Sequence, residues 1–171
     1  ESDQKKSEVV GQGPLNMAPS KRAEKVPTSS EKPLRDLDGY PGVKPPWGTL
    51  TAISLNTGKI IWQVPLGHYE SLKSKGIITG TENFGGATAT AGGLVFVAGT
   101  LDKLIRAFDS ETGEELWSYE LPYIGSAPPT SYEVNDEQYI VIPATGGITL
   151  KVNYGDLVEL GDAIVAFKLQ D

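Results

Sequence analysis

Cysteine is absent from the 171 residues, and histidine and methionine occur once each. The first absence excludes a disulfide scaffold, a thiolate nucleophile, a cysteine-ligated metal and a c-type haem attachment within the chain. The lone histidine, His68, has no second imidazole or thiolate with which to build a metal site. Set in the polar stretch from Gly67 to Lys75, it is expected at the surface. No apolar run approaches the roughly 18 residues of a membrane-spanning helix, and no apolar signal core opens the chain. The sequence starts at Glu1 without Met, so the expectation is a piece cut from something longer. Concentrated positive charge is lacking too. Seven basic and seven acidic side chains precede Gly39, so the net charge of −7 comes from the eight basic and fifteen acidic ones that follow. A nucleic-acid partner is thereby excluded, since phosphate binding needs a concentrated basic surface. Gly92-Gly93 and Gly146-Gly147 lack the Lys-Ser/Thr of a nucleotide-binding loop and read as turns. Asp109 to Gly113 with Glu120 places its glycine one position early for a calcium loop.

What is present points to strands and turns. Twenty glycines and twelve prolines favour an all-β fold, and the length suits one domain. Residues 1–46 hold seven of the prolines among scattered Ser and Lys, and read as a Pro-rich linker or extended wrapping segment. Residues 47–171 form the structured part. Turn formers are dense from Gly39 to Gly48, and the first convincing strand follows at Leu50 to Leu55.

An internal repeat then sets the architecture. Ala52-Ile-Ser-Leu-Asn-Thr-Gly-Lys-Ile-Ile-Trp62 and Ala107-Phe-Asp-Ser-Glu-Thr-Gly-Glu-Glu-Leu-Trp117 share Ala, Thr-Gly and Trp at a constant offset of 55 residues. Each copy reads as strand, tight turn, strand. Gly58 and Gly113 supply a positive φ, while Asn56 and Asp109 to Glu111 bond the turn backbone. Between the copies the sequence predicts strands at Ala87 to Ala91, Leu94 to Gly99, Leu104 to Asp109 and Glu114 to Leu121. Four antiparallel strands in about 40 residues make one β-propeller blade. A third unit runs through Pro129 to Val134, Gln138 to Pro143 and Asp162 to Leu169, with no Thr-Gly turn or Trp after it. The expectation is a partial propeller of two to three four-stranded blades, completed by further blades or a partner chain. The stretch Ile148 to Leu160, apolar and alternating, is expected to pair as an extra strand.

The repeated Ala-x-x-x-x-Thr-Gly-x-x-x-Trp pattern resembles the tryptophan-docking motif of quinoprotein propellers, which implies that Trp62 and Trp117 pack between neighbouring blades. Burial of a large aromatic at the same place in each unit leads to the same reading. Three further stretches, Pro45-Pro-Trp-Gly-Thr49, Gly80-Thr-Glu-Asn-Phe-Gly-Gly86 and Thr130 to Ile142, taken in order, resemble the C-terminal region of pyrroloquinoline-quinone-dependent, membrane-type glucose dehydrogenases. The resemblance covers residues 38–171. It implies an eight-bladed parent, periplasmic or secreted and membrane-associated through other segments. The parent would oxidise a sugar or alcohol with pyrroloquinoline quinone and pass electrons to a quinone or cytochrome. It also implies that Glu82, Asn83, Phe84 and Gly85 face the cofactor, Phe84 standing where related alcohol dehydrogenases carry Trp. The general base and the group that polarises the quinone belong to earlier blades, so no catalytic residue and no metal ligand is assigned within this chain.

Two plainer readings stand beside this one. Asn83 begins an inter-blade turn with Phe84 in the core, or the whole chain belongs to a non-catalytic propeller scaffold of the cell envelope. The sequence departs from the resemblance between Thr145 and Asp162, where relatives carry a Gly-rich loop near the cofactor face.

Overall fold

The structure, a computed structural model, describes residues 34–168. Its strands form three separate antiparallel sheets. The first pairs β1 (Thr49–Ile53) with β2 (Ile60–Pro65). The second is a four-stranded meander of β3 (Ala87–Ala89), β4 (Leu94–Val97), β5 (Leu104–Asp109) and β6 (Glu115–Glu120). The third orders β7 (Thr130–Val134), β8 (Glu137–Ala144) and β9 (Ala163–Lys168), and one helical turn, α1 (Glu70–Lys73), lies in the connection from β2 to β3. The expected partial propeller is therefore present as one whole blade, an outer hairpin before it and three strands after it. The expected third-unit strand to Leu169 ends at Lys168, Leu169 lying outside the described residues, as does the part of the Pro-rich segment before residue 34.

The 55-residue repeat is a structural repeat in detail. Ala52 faces Trp62 across β1–β2, and Ala107 faces Trp117 across β5–β6. In both hairpins the register shifts at the residue after the alanine. The turn chemistry explains the second hairpin: Asp109 Oδ1 accepts the backbone N–H groups of Glu111 at 2.9 Å and Thr112 at 2.8 Å, and Gly113 takes φ +75°. Those donors hold the Asp109 carboxyl below its ordinary range, the Thr112 N–H having the largest effect. Between β7 and β8 the two-residue turn places Asn135 and Asp136 at φ +53° and +62°, the geometry that the right-handed strand twist favours.

Apolar faces close the gaps between sheets. Leu66, Val97 and Phe108 are buried against Leu50, Val64 and Val95, joining the first sheet to the second. Ile105, Leu121, Ile140 and Ile142 are buried with Phe96, Val165 and Phe167 between the second and third. Each fully buried isoleucine contributes about 1.5–3 kcal/mol by removal from water. Trp62 reaches across the first gap: its indole Nε1 donates to Ser110 O at 3.0 Å, and its ring lies over Gly113, where a Cβ would come within 2.6 Å of Cε3. Gly113 is thus required twice, once for φ and once for space. Trp117 does not share that environment. It stacks with Tyr119 and meets Phe167 edge to face, yet remains 38% exposed, because no turn follows β9 among the described residues to receive it. The expectation that both tryptophans pack between neighbouring blades is met by Trp62 on the Ser110–Gly113 turn and by Trp117 on Phe167 of the next sheet, the second contact covering less of its ring.

The stretch from Ile148 to Leu160 is also corrected: it is not a strand. It forms α2 (Ile148–Tyr154) and a 3-10 turn at Gly155–Leu157. Leu150 and Tyr154, four residues apart, share one face of the helix, and Val158, extended just after the 3-10 turn, joins them in burial against Ile124 and Leu101. Alternation and i, i+4 spacing coexist in this sequence, and packing on Ile124 selects the second.

Strict antiparallel pairing sends the four hairpin turns to one end of the sheets. The longer connections, from β2 to β3, β4 to β5, β6 to β7 and β8 to β9, gather at the other end. All the polar clusters described next lie there.

Candidate functional site

The loop singled out in the sequence, Glu82 to Gly85, runs along the connection end and leads into β3, the first strand of the complete blade. Its conformation is fixed by Asn83. The amide Nδ2 donates to Ala98 O at 2.7 Å, and Oδ1 accepts the Gly85 N–H at 2.8 Å. Gly85 lets the loop lie directly on the β4–β5 connection: a Cβ there would stand 2.4 Å from Ala98 O. Beyond the loop, Thr88 of β3 donates its hydroxyl to Pro129 O at the start of β7, tying the first strands of two successive units. Phe84, between the pinned residues, does not enter the core and is 45% exposed. Among the described residues Phe84 is thus outside the core, while Asn83 does shape a turn. A flat aromatic ligand fits an open phenyl face on a rigid loop.

Around Glu82 a second polar group assembles. Its carboxylate lies 4.0 Å from Arg35 Nη2. Arg35 is held by a bridge to Pro41 and by donation from Nη1 to Gly39 O at 2.9 Å, and its guanidinium sits 4.4 Å over the ring of Tyr154 on α2. Tyr40, Trp47 and Tyr69 pack ring against ring beside it. Burial pushes the Tyr69 phenol up from its ordinary pKa, and the neighbouring Arg35 offsets this only in part. Residues 34–47 thereby lie against the β2–β3 connection, where the Tyr40 hydroxyl also meets Ser71 Oγ and the Trp47 N–H donates to Thr79 O.

A third cluster carries most of the buried charge, and its placement corrects the reading of His68 as a surface residue. The His68 side chain is 13% exposed, with Nδ1 2.9 Å from Asp102 Oδ2 and Nε2 3.1 Å from Glu70 Oε2. The His68 backbone N–H also donates to Asp102, at 3.0 Å. Asp102 and Arg106, 5% and 4% exposed, form an ion pair, and Arg106 further donates to Thr100 Oγ1 at 3.1 Å and Glu115 Oε2 at 3.2 Å. Burial raises the Asp102 carboxyl, but the bond from Arg106, its charge and the Thr100 hydroxyl outweigh it, so the group sits below the ordinary carboxylate range. The cluster welds the first connection to the β4–β5 turn and borders a shallow cleft of about 530 Å3, lined in part by Tyr69, Lys73 and Leu157. Sequence reasoning missed Arg106. Its signal is a charged residue inside Leu104-Ile-Arg-Ala-Phe108, a strand in which Ile105, Ala107 and Phe108 are all buried.

Four-stranded blades joined by a docked tryptophan, with an aromatic loop entering the first strand, define a run of blades from a β-propeller. Residues 1–140 match the family described as PQQ: glucose/ethanol/alcohol dehydrogenase, β-propeller domain, and the chain belongs to that family. It is 40% identical over 141 residues to a probable quinate dehydrogenase (quinone) of Xanthomonas campestris pv. juglandis, covering 78% of this chain and 17% of the relative. It is 36% identical over 139 residues to the quinoprotein glucose dehydrogenase of Escherichia coli K12, with 78% and 17% covered. Among solved structures, a quinohemoprotein alcohol dehydrogenase of Pseudomonas putida HK5 superposes with a TM-score of 0.52 at 27% identity, over 71% of this chain and 16% of that one. The chain thus spans about a sixth of the length of the relatives it matches.

Proposed function

We propose that this chain supplies C-terminal blades to a pyrroloquinoline-quinone-dependent dehydrogenase of a glucose-like sugar or an alcohol, and that the loop from Glu82 to Gly85 lies against the cofactor. The observation that carries the reading is Phe84, an aromatic ring left 45% exposed on a loop whose backbone is pinned on both sides. An exposed phenyl at a pinned position gains free energy when a flat ring covers it. In this reading Phe84 stacks on the quinone and Asn83 holds the loop rather than touching the cofactor. Gly85 brings the main chain close, and Glu82 presents its carboxylate at the rim. The bound quinone supplies the hydride-accepting chemistry; the protein binds and orients it. Neither catalytic base nor quinone-polarising group is assigned to this chain, so the piece is inactive alone.

The wider architecture proposed with it is a Pro-rich extended segment over residues 1–46 and propeller blades over 47–171. Both belong to an eight-bladed, periplasmic or secreted parent that delivers electrons to a quinone or cytochrome. The test uses the full-length enzyme loaded with the quinone and an artificial electron acceptor. Phe84→Ala is expected to weaken quinone binding about threefold to tenfold, the worth of one aromatic stack, with little change in melting temperature. An enzyme that neither binds the quinone nor reduces the acceptor with any sugar or alcohol leaves the scaffold reading in its place.

A further inference from the structure

Next to the Glu82 loop, polar groups from three other segments meet with hydrogen-bonding capacity to spare, Arg35 standing close enough to Tyr69 to lower its phenol. Arg35 Nη2, the Tyr69 hydroxyl and the Tyr154 hydroxyl are all buried with no hydrogen-bond partner among the described residues. Tyr154 is 6% exposed. Among the described residues Arg35 Nη1 is engaged on Gly39 O, and the Glu82 carboxylate lies 4.0 Å from Nη2. Buried polar atoms in folded proteins are nearly always paired, because an unpaired one bears its full desolvation cost. Here one guanidinium and two phenols are grouped about Arg35; a phenol oxygen can take one guanidinium N–H, but the two hydroxyl protons and the rest of the fork are left for an outside acceptor. A fixed positive charge flanked by two O–H donors is the chemistry that recognises a carboxylate. Glu82, the most exposed of the four, is free to turn outward and leave its place to the guest.

We propose that Arg35, Tyr69 and Tyr154 form a receptor for one carboxylate group of a small ligand bound beside the Glu82 to Gly85 loop. This rests on the reading of that loop as facing the cofactor. Two sources offer the group, the tricarboxylic quinone itself and an acidic polyol substrate, and the experiment separates them.

The readout is calorimetry and thermal melting of the full-length enzyme freed of its quinone, in which the three receptor groups sit among the remaining blades. The probes are pyrroloquinoline quinone, its trimethyl ester and quinate. The acids are expected to bind and raise the melting temperature, and the ester is not. Quinone alone assigns the receptor to the cofactor; quinate alone assigns it to substrate. Tyr69→Phe and Tyr154→Phe each remove only a hydroxyl, and Arg35→Gln removes the charge. Each is expected to weaken the acid about tenfold or more. Without ligand, the two phenylalanine variants melt at or above the wild-type temperature, since an orphaned polar group has been deleted. If they melt lower, the hydroxyls are already satisfied in the free protein, by water for instance, and the receptor is refuted. It is refuted equally if no acid binds, or if the variants bind as wild type does. Phe84→Ala distinguishes the two readings. Quinone binding lost there but intact in the Arg35 and tyrosine variants removes the receptor and leaves the loop. The reverse pattern removes the loop's contact and leaves the receptor.

Discussion

Gly58 and Gly113 occupy matching positions in the two repeat copies, with φ of +68° and +75°, yet their surroundings differ. A Cβ on Gly58 meets nothing within 4 Å, whereas one on Gly113 strikes three atoms of the Trp62 indole, the nearest at 2.6 Å. Alanine at either site bears the left-handed backbone cost, about 1–2 kcal/mol. Gly113→Ala must also push the indole aside, which adds about 1–3 kcal/mol of overpacking. It further loosens the Trp62 Nε1 bond to Ser110 O, worth about 1 kcal/mol. The expected gap between the two variants is therefore about 2–4 kcal/mol. Urea unfolding followed by tryptophan fluorescence reads it directly: with a slope of about 1–3 kcal/mol/M, the Gly113→Ala midpoint falls well below that of Gly58→Ala. Repeating both substitutions in a Trp62→Ala background removes the obstacle, and the gap should then shrink to a few tenths of a kcal/mol. Equal losses in the native background refute the docking argument, as does a gap that survives without the indole.

Three more outcomes follow from the ionic and loop clusters. Asp102→Asn leaves Arg106 buried beside a neutral partner and is expected to cost about 3–5 kcal/mol in chemical denaturation; Glu70→Gln, at a partner 80% exposed, changes stability by less than about 1 kcal/mol. Because the Asp102 carboxyl is depressed in the fold, its contribution is complete above the unfolded value of about 4 and disappears as pH falls through the folded one. Stability measured from pH 6 down to pH 2 should decline more steeply in wild type than in Asp102→Asn, and parallel curves would exclude the assignment. Asn83→Ala removes two hydrogen bonds and is expected to cost about 1–3 kcal/mol, with faster amide exchange at Gly85.

The blade was legible in the sequence because its signals are local. Asp109, Gly113 and Trp117 lie within one hairpin, and the 55-residue offset repeats them where the second hairpin repeats the first. The loop at Glu82 to Gly85 was legible for its glycines and its aromatic. Its internal division of labour was not: the Asn83 amide reaches Ala98, fifteen residues away, which spacing alone does not reveal. For α2, two periodicities were written over one another, and the contact with Ile124 decided between them.

The sequence by itself determined the antiparallel hairpins, the repeat of blades and the lack of thiol chemistry within the chain, since composition and short-range pattern govern these. Tertiary structure alone decided how deeply each tryptophan is docked and that His68 is half-buried between Asp102 and Glu70. It also brought Arg35, Tyr69, Glu82 and Tyr154 to one place. Those outcomes depend on polar groups brought together across separate segments at the ends of packed sheets, such as His68 and Asp102, 34 residues apart, where burial in a low dielectric, absent from any local window of sequence, sets what each group must pair with.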